Sequence, residues 1–149
     1  MKKLFAVVFF ALGVFTATAQ HTQKATINHT AIFVKDVTVS ALFYKNIIGL
    51  DTLAEPFHDG LHAWFKTGPG IALHIIQGAT EKKAYYKNQH TCFSVASVDV
   101  FVKLLAQNKI GWEDRDGAKL AITTRIDGVK QVWLQDHDGY WIEINDARD

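Results

Sequence analysis

The chain writes one order of patterns twice. At an offset of 61 residues, HTAIFVKDVTV, beginning at His29, lies over HTCFSVASVDV, beginning at His90, and the histidine, the threonine and three valines coincide. Both stretches open with the alternation of a β-strand and pass into helical spacing. In the first, Leu42, Phe43, Ile47 and Ile48 recur before Gly49; in the second, Phe101, Leu104, Leu105 and Ile110 recur before Gly111, with Ser97 placed to cap the helix. Three strand-like segments then follow in each half. In the first they are Asp51 to Ala54, Leu61 to Lys66 and Ile71 to Ile76, separated by Asp59-Gly60 and Gly68-Pro69-Gly70. In the second they are Gly111 to Asp114, then Ala121 to Ile126 with Val129 to Gln135, then Tyr140 to Ile144, with turns at Asp127-Gly128 and Asp138-Gly139. The order strand, helix, strand, strand, strand, repeated, predicts an α+β chain of two like modules, about 25–78 and 88–147.

Four residues hold corresponding places in this repeat. His29 and His90 open the first strands, and His74 and Glu143 sit in the last strands of their halves. Strand alternation puts each on the less apolar face: His29 with Ala31 and Phe33, His74 with Ala72 and Ile76, His90 with Cys92 and Ser94, Glu143 with Trp141 and Asn145. Three imidazoles and a carboxylate on rigid strands are the donor set of a divalent metal site. A duplicated unit closing around a pseudo-twofold axis would bring the four together. Three nitrogens and one oxygen suit Zn²⁺, Ni²⁺, Co²⁺ or Fe²⁺ better than Mg²⁺ or Ca²⁺.

Residues 1–19 stand apart from this pattern. Lys2 and Lys3 precede an uncharged apolar run from Leu4 to Phe15, and Ala17-Thr18-Ala19 has the small-x-small form of a signal-peptidase site. The run is shorter than the roughly 20 residues that a membrane span takes. The expectation is a signal peptide, with a periplasmic or secreted chain of residues 20–149 forming one domain. Without Lys2 and Lys3 the 16 basic residues fall to 14, against 15 acidic. That balance, with no basic run, gives no electrostatic footprint for nucleic acid or for an anionic membrane. Cys92, the one cysteine, cannot form an internal disulfide and reads as a small buried filler on an apolar strand.

The motifs resemble those of the vicinal oxygen chelate superfamily, which includes glyoxalases, extradiol dioxygenases and fosfomycin- and bleomycin-resistance proteins. The resemblance runs from about Ile27 to Asp146. It rests on His29, on Phe43-Tyr44 followed by Ile48-Gly49-Leu50, and on Asp136-His137-Asp138-Gly139-Tyr140-Trp141-Ile142-Glu143, where His137 takes the place of the usual proline. It implies paired βαβββ modules forming an eight-stranded open cup, built within one chain or across a homodimer, with metal at the base and a small-molecule substrate chelated to it. His29, His90 and Glu143 match positions shared by many of the superfamily's enzymes. His74 stands where glyoxalases usually carry glutamate.

The resemblance therefore implies a glyoxalase-like (lactoylglutathione lyase-type) lyase or isomerase, with Glu143 as the proton-transferring group. Alternatives within the same fold are an extradiol-type dioxygenase using His29, His90 and Glu143 as a facial triad, a thiol transferase, and a drug-sequestering resistance protein. His62 and Trp64 share the face that carries the ligands and are candidates to line the substrate pocket, as is Trp133. Arg125 is a candidate for binding a substrate anion. His21, His58 and His137 read as exposed residues without a role in the site.

Overall fold

The computed structural model describes residues 24–148; the expected leader, its cleavage site and His21 lie outside them. The first module runs β1 (His29–Val34), α1 (Val37–Phe43), a π-helical turn at Tyr44–Ile48, β2 (Asp51–Leu53), β3 (His62–Gly68) and β4 (Ile71–Gln77). The second runs β5 (His90–Ser94), α2 (Val98–Gln107), β6 (Thr123–Thr124), β7 (Lys130–Gln135) and β8 (Trp141–Asn145). Each module forms a four-stranded mixed sheet, ordered β1-β4-β3-β2 and β5-β8-β7-β6. In both, the first strand pairs in parallel with the last and the remaining pairs are antiparallel. The expected two-module α+β architecture is the one observed.

The registers of the two sheets correspond residue by residue. Ala31 pairs with His74, His74 with Trp64 and Trp64 with Leu53. In the second module Cys92 pairs with Glu143, Glu143 with Trp133, and Trp133 bridges to Glu113. Directly paired residues point to the same face, so each module carries one row across its open face. His29 and His90 lie two residues before the strand member of their row. Opposite faces hold the core, with Ile32, Val34, Phe65, Leu73 and Ile75 from the first sheet and Val132, Leu134, Ile142 and Ile144 from the second, joined by Val98, Phe101 and Leu105 of α2.

Helix α1 starts at Asp36, whose carboxylate accepts from the Thr38 and Val39 amides, and the π-helical turn ends at Gly49 in the left-handed conformation. Its buried residues are Val37, Ser40 and Phe43, which leaves Leu42 exposed: the inward stripe advances three residues at a time and Leu42 falls off it. Helix α2 is capped by Ser97, as its sequence predicts. It does not run to Gly111. The Lys109 amide donates to the Ala106 carbonyl and the Ile110 amide to the Leu105 carbonyl, so Lys109, at φ 57°, takes the left-handed position of a Schellman closure. The segment Gly111 to Asp114, expected as a strand, makes only isolated bridges from Glu113 to Lys119 and Trp133.

A clasp from the β7–β8 turn joins the modules. Asp138 accepts the Lys35 amide at 2.8 Å and the Ser40 hydroxyl at 3.0 Å. Asp136 accepts the Tyr44 hydroxyl at 3.0 Å as well as the amides of Asp138 and Tyr140 within its own turn. The Tyr140 hydroxyl accepts the Phe33 amide and donates to the Phe33 carbonyl, satisfying the open edge of β1. Burial, then the charge of Asp136, pushes the Tyr44 phenol well above its usual value, and burial raises Asp136. The Asp136-His137-Asp138-Gly139-Tyr140 motif therefore fastens one module to the other.

Candidate metal and substrate site

In the first module, β1, β4 and β3 place three rings in one stack. His74 lies between His29, at 4.2 Å between centroids, and Trp64, at 4.0 Å, with nearly parallel planes on both sides. The stack follows from the register: Trp64 and His74 are directly paired across β3 and β4, and His29 is two residues from His74's partner on β1. Burial, then the nearby His29 and His62 rings, hold His74 below the ordinary imidazole value, which favours the neutral ring that ligates metals. A hollow of about 580 Å³ opens over this face, lined by His29, His74, Trp64, Lys66 and Leu53 among others.

In the second module, His90 Nε2 lies 3.0 Å from Glu143 Oε2. The other ring nitrogen, Nδ1, donates to the Lys87 carbonyl at 2.9 Å, and Glu143 Oε1 accepts from the Asn145 amide at 3.1 Å. A neutral ring whose Nδ1 proton is committed to a carbonyl presents a lone pair at Nε2, and the facing carboxylate is also an acceptor. Two acceptors at that distance require a shared proton or a cation between them. A histidine tied by its far nitrogen to a carbonyl is the usual arrangement around a protein-bound metal.

The structure thus brings His29 to His74 and His90 to Glu143. It does not gather the two pairs into one cage within a chain: among the described residues no three His, Cys, Asp or Glu side chains converge tightly enough to hold an ion. Strands β1 and β5, which carry the leading histidines, are both sheet edges. Between Thr30 and Ala31 of one and His90 and Thr91 of the other lies a groove of about 290 Å³, closed by Tyr44, Tyr140 and Trp141.

The other candidates fall as follows. Trp133 is buried at the centre of the second module's row, edge-on to His90 with ring centroids 6.2 Å apart. Trp64 is the base of the first module's stack. His62 sits on the same face; its Nδ1 is 2.9 Å and 3.0 Å from the two Asp59 oxygens, and Phe57 packs on its ring at 4.5 Å. That contact pulls the Asp59 carboxyl below its usual value. Arg125 lies just beyond β6 and pairs with Asp127 across the turn that leads into β7. His58 and His137 are exposed.

Cys92 is not the buried filler that its strand suggests. It lies on edge strand β5 and is exposed, because no further strand covers that edge. Its thiol nevertheless contacts Asn145 and faces Glu143, and burial of the sulfur followed by the Glu143 charge pushes it up to about 12, so it is a poor nucleophile.

Sequence reasoning missed Lys87, Glu113 and Asn145. Alternation already puts Asn145 on Glu143's strand face; what it does not show is that the Asn145 amide reaches the Glu143 carboxylate. Lys87 lies in a polar connector without periodicity, and Glu113 in a segment too irregular to assign a face.

A family description, the Glyoxalase/Bleomycin resistance protein/Dioxygenase superfamily, matches residues 26–144. The curated relative "Uncharacterized protein YwbC" of Bacillus subtilis (strain 168) is 27% identical over 124 residues, covering 79% of this chain and 94% of its own. Among solved structures, oxidase ChaP-H2 superposes with a TM-score of 0.69 at 20% identity, over 85% of this chain and 96% of its own. A lactoylglutathione lyase from Agrobacterium tumefaciens does so with 0.61 at 20% identity, over 83% and 96%. At these identities the structural likenesses speak for the fold alone.

Proposed function

Because the chain belongs to the glyoxalase/bleomycin resistance protein/dioxygenase superfamily, we propose that it is a metal-dependent lyase or isomerase of glyoxalase type, acting on a small oxygenated substrate. The observation that carries this reading is the shared register: each module presents a histidine from its first strand and a second donor from its last, next to a tryptophan. Within that row Glu143 and His90 Nε2 face each other as two acceptors, a pairing that a cation between them would satisfy.

The residues fit a divalent transition ion, Zn, Ni, Co or Fe, in chemistry and in the orientation of His90. His29 and His74 of one chain would hold it together with His90 and Glu143 of a second copy, making a homodimer with two composite sites. Bound there, the ion would polarise the substrate's oxygens as a Lewis acid. Glu143 Oε2 would accept the substrate proton and return it, while Asn145 on Oε1 fixes the carboxylate plane. Trp64, Trp133 and the hollow over His29 and His74 would exclude water from the reacting carbons. His62 and Arg125 remain candidates for holding the substrate at the rim. The leader-like residues 1–19 support a periplasmic or secreted location, where a substrate other than a glutathione adduct is favoured because reduced glutathione is chiefly cytosolic.

The stack that holds His74 between two rings favours one second reading. If stacking withdraws His74 from the ion, His29, His90 and Glu143 form a facial triad with three open positions, the arrangement of extradiol dioxygenases. Elemental analysis of purified protein, followed by aerobic and anaerobic assays on α-hydroxy-carbonyl, thiohemiacetal and catechol substrates, separates the two. The lyase reading expects about one ion per chain and turnover independent of oxygen. Full metal content in both His90→Ala and Glu143→Ala would sink the site, and strictly O₂-dependent ring cleavage would establish the second reading.

A further inference from the structure

The carbonyl that orients His90 belongs to Lys87, in the irregular segment joining the modules. Such a carbonyl is a poor anchor unless something fixes the segment. Here the Lys87 side chain turns back over the open face of the second sheet. Its ammonium donates to Glu113 Oε1 at 2.9 Å, to the Asp114 carbonyl at 2.5 Å and to the Arg115 carbonyl at 3.1 Å, which uses all three of its protons. It also lies 5.1 Å and 5.4 Å from the ring centroids of Trp133 and Trp141.

Glu113 is itself buried, and its backbone is held on β7, where its amide and carbonyl exchange 2.8 Å hydrogen bonds with Trp133; the exposed Lys119 meets only its second carboxylate oxygen. On either side of Lys87 the backbone is also held. The Trp141 indole donates to the Tyr85 carbonyl at 3.0 Å, and the Gln89 amide closes a turn on the Tyr86 carbonyl at 2.8 Å.

We infer that the part-buried Glu113–Lys87 pair is a positioning device for His90: it pins the Lys87 carbonyl so that the ring keeps its proton on Nδ1 and turns its Nε2 lone pair toward Glu143. Neither residue is among the proposed ligands. The inference rests on the reading of His90 and Glu143 as ligands, but its direct consequence, the proton held on Nδ1, can be read without metal once Glu143 is replaced by glutamine, whose amide can donate to the Nε2 lone pair. An ion pair that served stability alone would leave the tautomer unchanged when broken.

The test is imidazole ¹⁵N NMR on the metal-free full chain carrying Glu143→Gln, at alkaline pH, with Lys87→Met, Glu113→Gln and Lys119→Met added in turn. The Glu143→Gln parent should show His90 almost wholly protonated at Nδ1. Lys87→Met, which keeps the stem over the tryptophans, should give a mixture of tautomers, and Glu113→Gln should do the same from the other end of the pair should Lys87→Met fail to fold. Lys119→Met, on the exposed arm of Glu113, should change nothing.

With Glu143 intact, competition of Zn²⁺ alone against a chelator should show about 10- to 100-fold weaker binding in Lys87→Met and Glu113→Gln and unchanged binding in Lys119→Met. Retention of the Nδ1 tautomer in folded Lys87→Met or Glu113→Gln would overturn the inference. If wild type binds no Zn²⁺ while the tautomer still shifts, the positioning role stands and the metal reading falls.

Discussion

At the scale of single residues, the molecule places side chains against local preference in a few places, and Lys109 is the clearest. A left-handed backbone costs a residue with a Cβ about 1–2 kcal/mol, and glycine is the residue that removes the cost. Lys109 is exposed and bears this conformation to close α2. Lys109→Gly is therefore expected to stabilise the fold by about 0.5–1 kcal/mol, after allowing for glycine's greater freedom when unfolded. Urea denaturation checks this; a loss of stability would mean that the lysine side chain contributes more than its backbone costs. The same residue shows a limit of reading this sequence: Gly111 attracts the eye as the helix stop because glycine is the common solution, yet the hydrogen bonds select the position two residues earlier.

At the scale of elements, the strands that alternate cleanly were legible, and so was the face of every proposed ligand; Gly111 to Asp114 makes only isolated bridges, and of Ala121 to Ile126 only Thr123–Thr124 pairs as a strand. His29, His74, His90 and Glu143 lie on the open faces expected of them, since a period of two leaves no choice once the apolar side is buried. The pairing of those donors was only partly legible. Alternation fixes which way a side chain points but not how two sheets approach each other, so the two separate pairs, and the stacking of His74, appear only in three dimensions.

The clasp from the β7–β8 turn was visible as a motif and opaque as a mechanism, because its partners Lys35, Ser40 and Tyr44 lie about a hundred residues away. Asp138→Ala removes acceptors from two of those groups and is expected to cost about 2–4 kcal/mol, since hydrogen bonds to charged groups are worth roughly 1.5–3 kcal/mol each and are seldom additive. Tyr44→Phe should cost less, about 1–2 kcal/mol. Thermal denaturation of both variants is the measurement; equal, negligible losses would show that the clasp adds nothing to the fold.

Across the whole molecule, two predictions concern assembly and acid stability. If each site joins the first module of one copy to the second module of another, chains carrying His74→Ala and chains carrying Glu143→Ala should complement each other. After joint refolding, a mixed dimer holds one site with both lesions and one with none, so metal content should recover toward one ion per mixed dimer. No recovery, with dimers present, would place the whole site within a single chain.

In acid, Lys119 and then Lys87 hold the Glu113 carboxyl below its ordinary value. A carboxyl lowered by folding adds stability in full above its unfolded value, near 4.5, and loses that contribution as pH falls through the folded value. Glu113→Gln should therefore flatten the acid side of the stability profile, read as urea midpoints from about pH 3 to pH 7. Asp136 acts in the opposite sense: burial raises it, so its contribution declines as pH rises from about 3.8 through the raised value. An unchanged acid limb in Glu113→Gln would mean that its lysines contribute nothing to folding.

The clasp also sets an order of events during synthesis. The first module is complete in sequence by Gln77, yet the Ser40 and Tyr44 hydroxyls and the Lys35 amide find their acceptors only on residues 136 and 138, which lie 92 to 103 residues further along the chain. The first module therefore cannot lock until the β7–β8 turn has been made and has left the ribosome, and until then the exposed edge of β1 has no Tyr140 to cover it. Pulse proteolysis of released chains that stop before residue 136, beside the chain of 149 residues, should show protection of the first module only in the longer one; protection in the shorter would mean that it matures unaided.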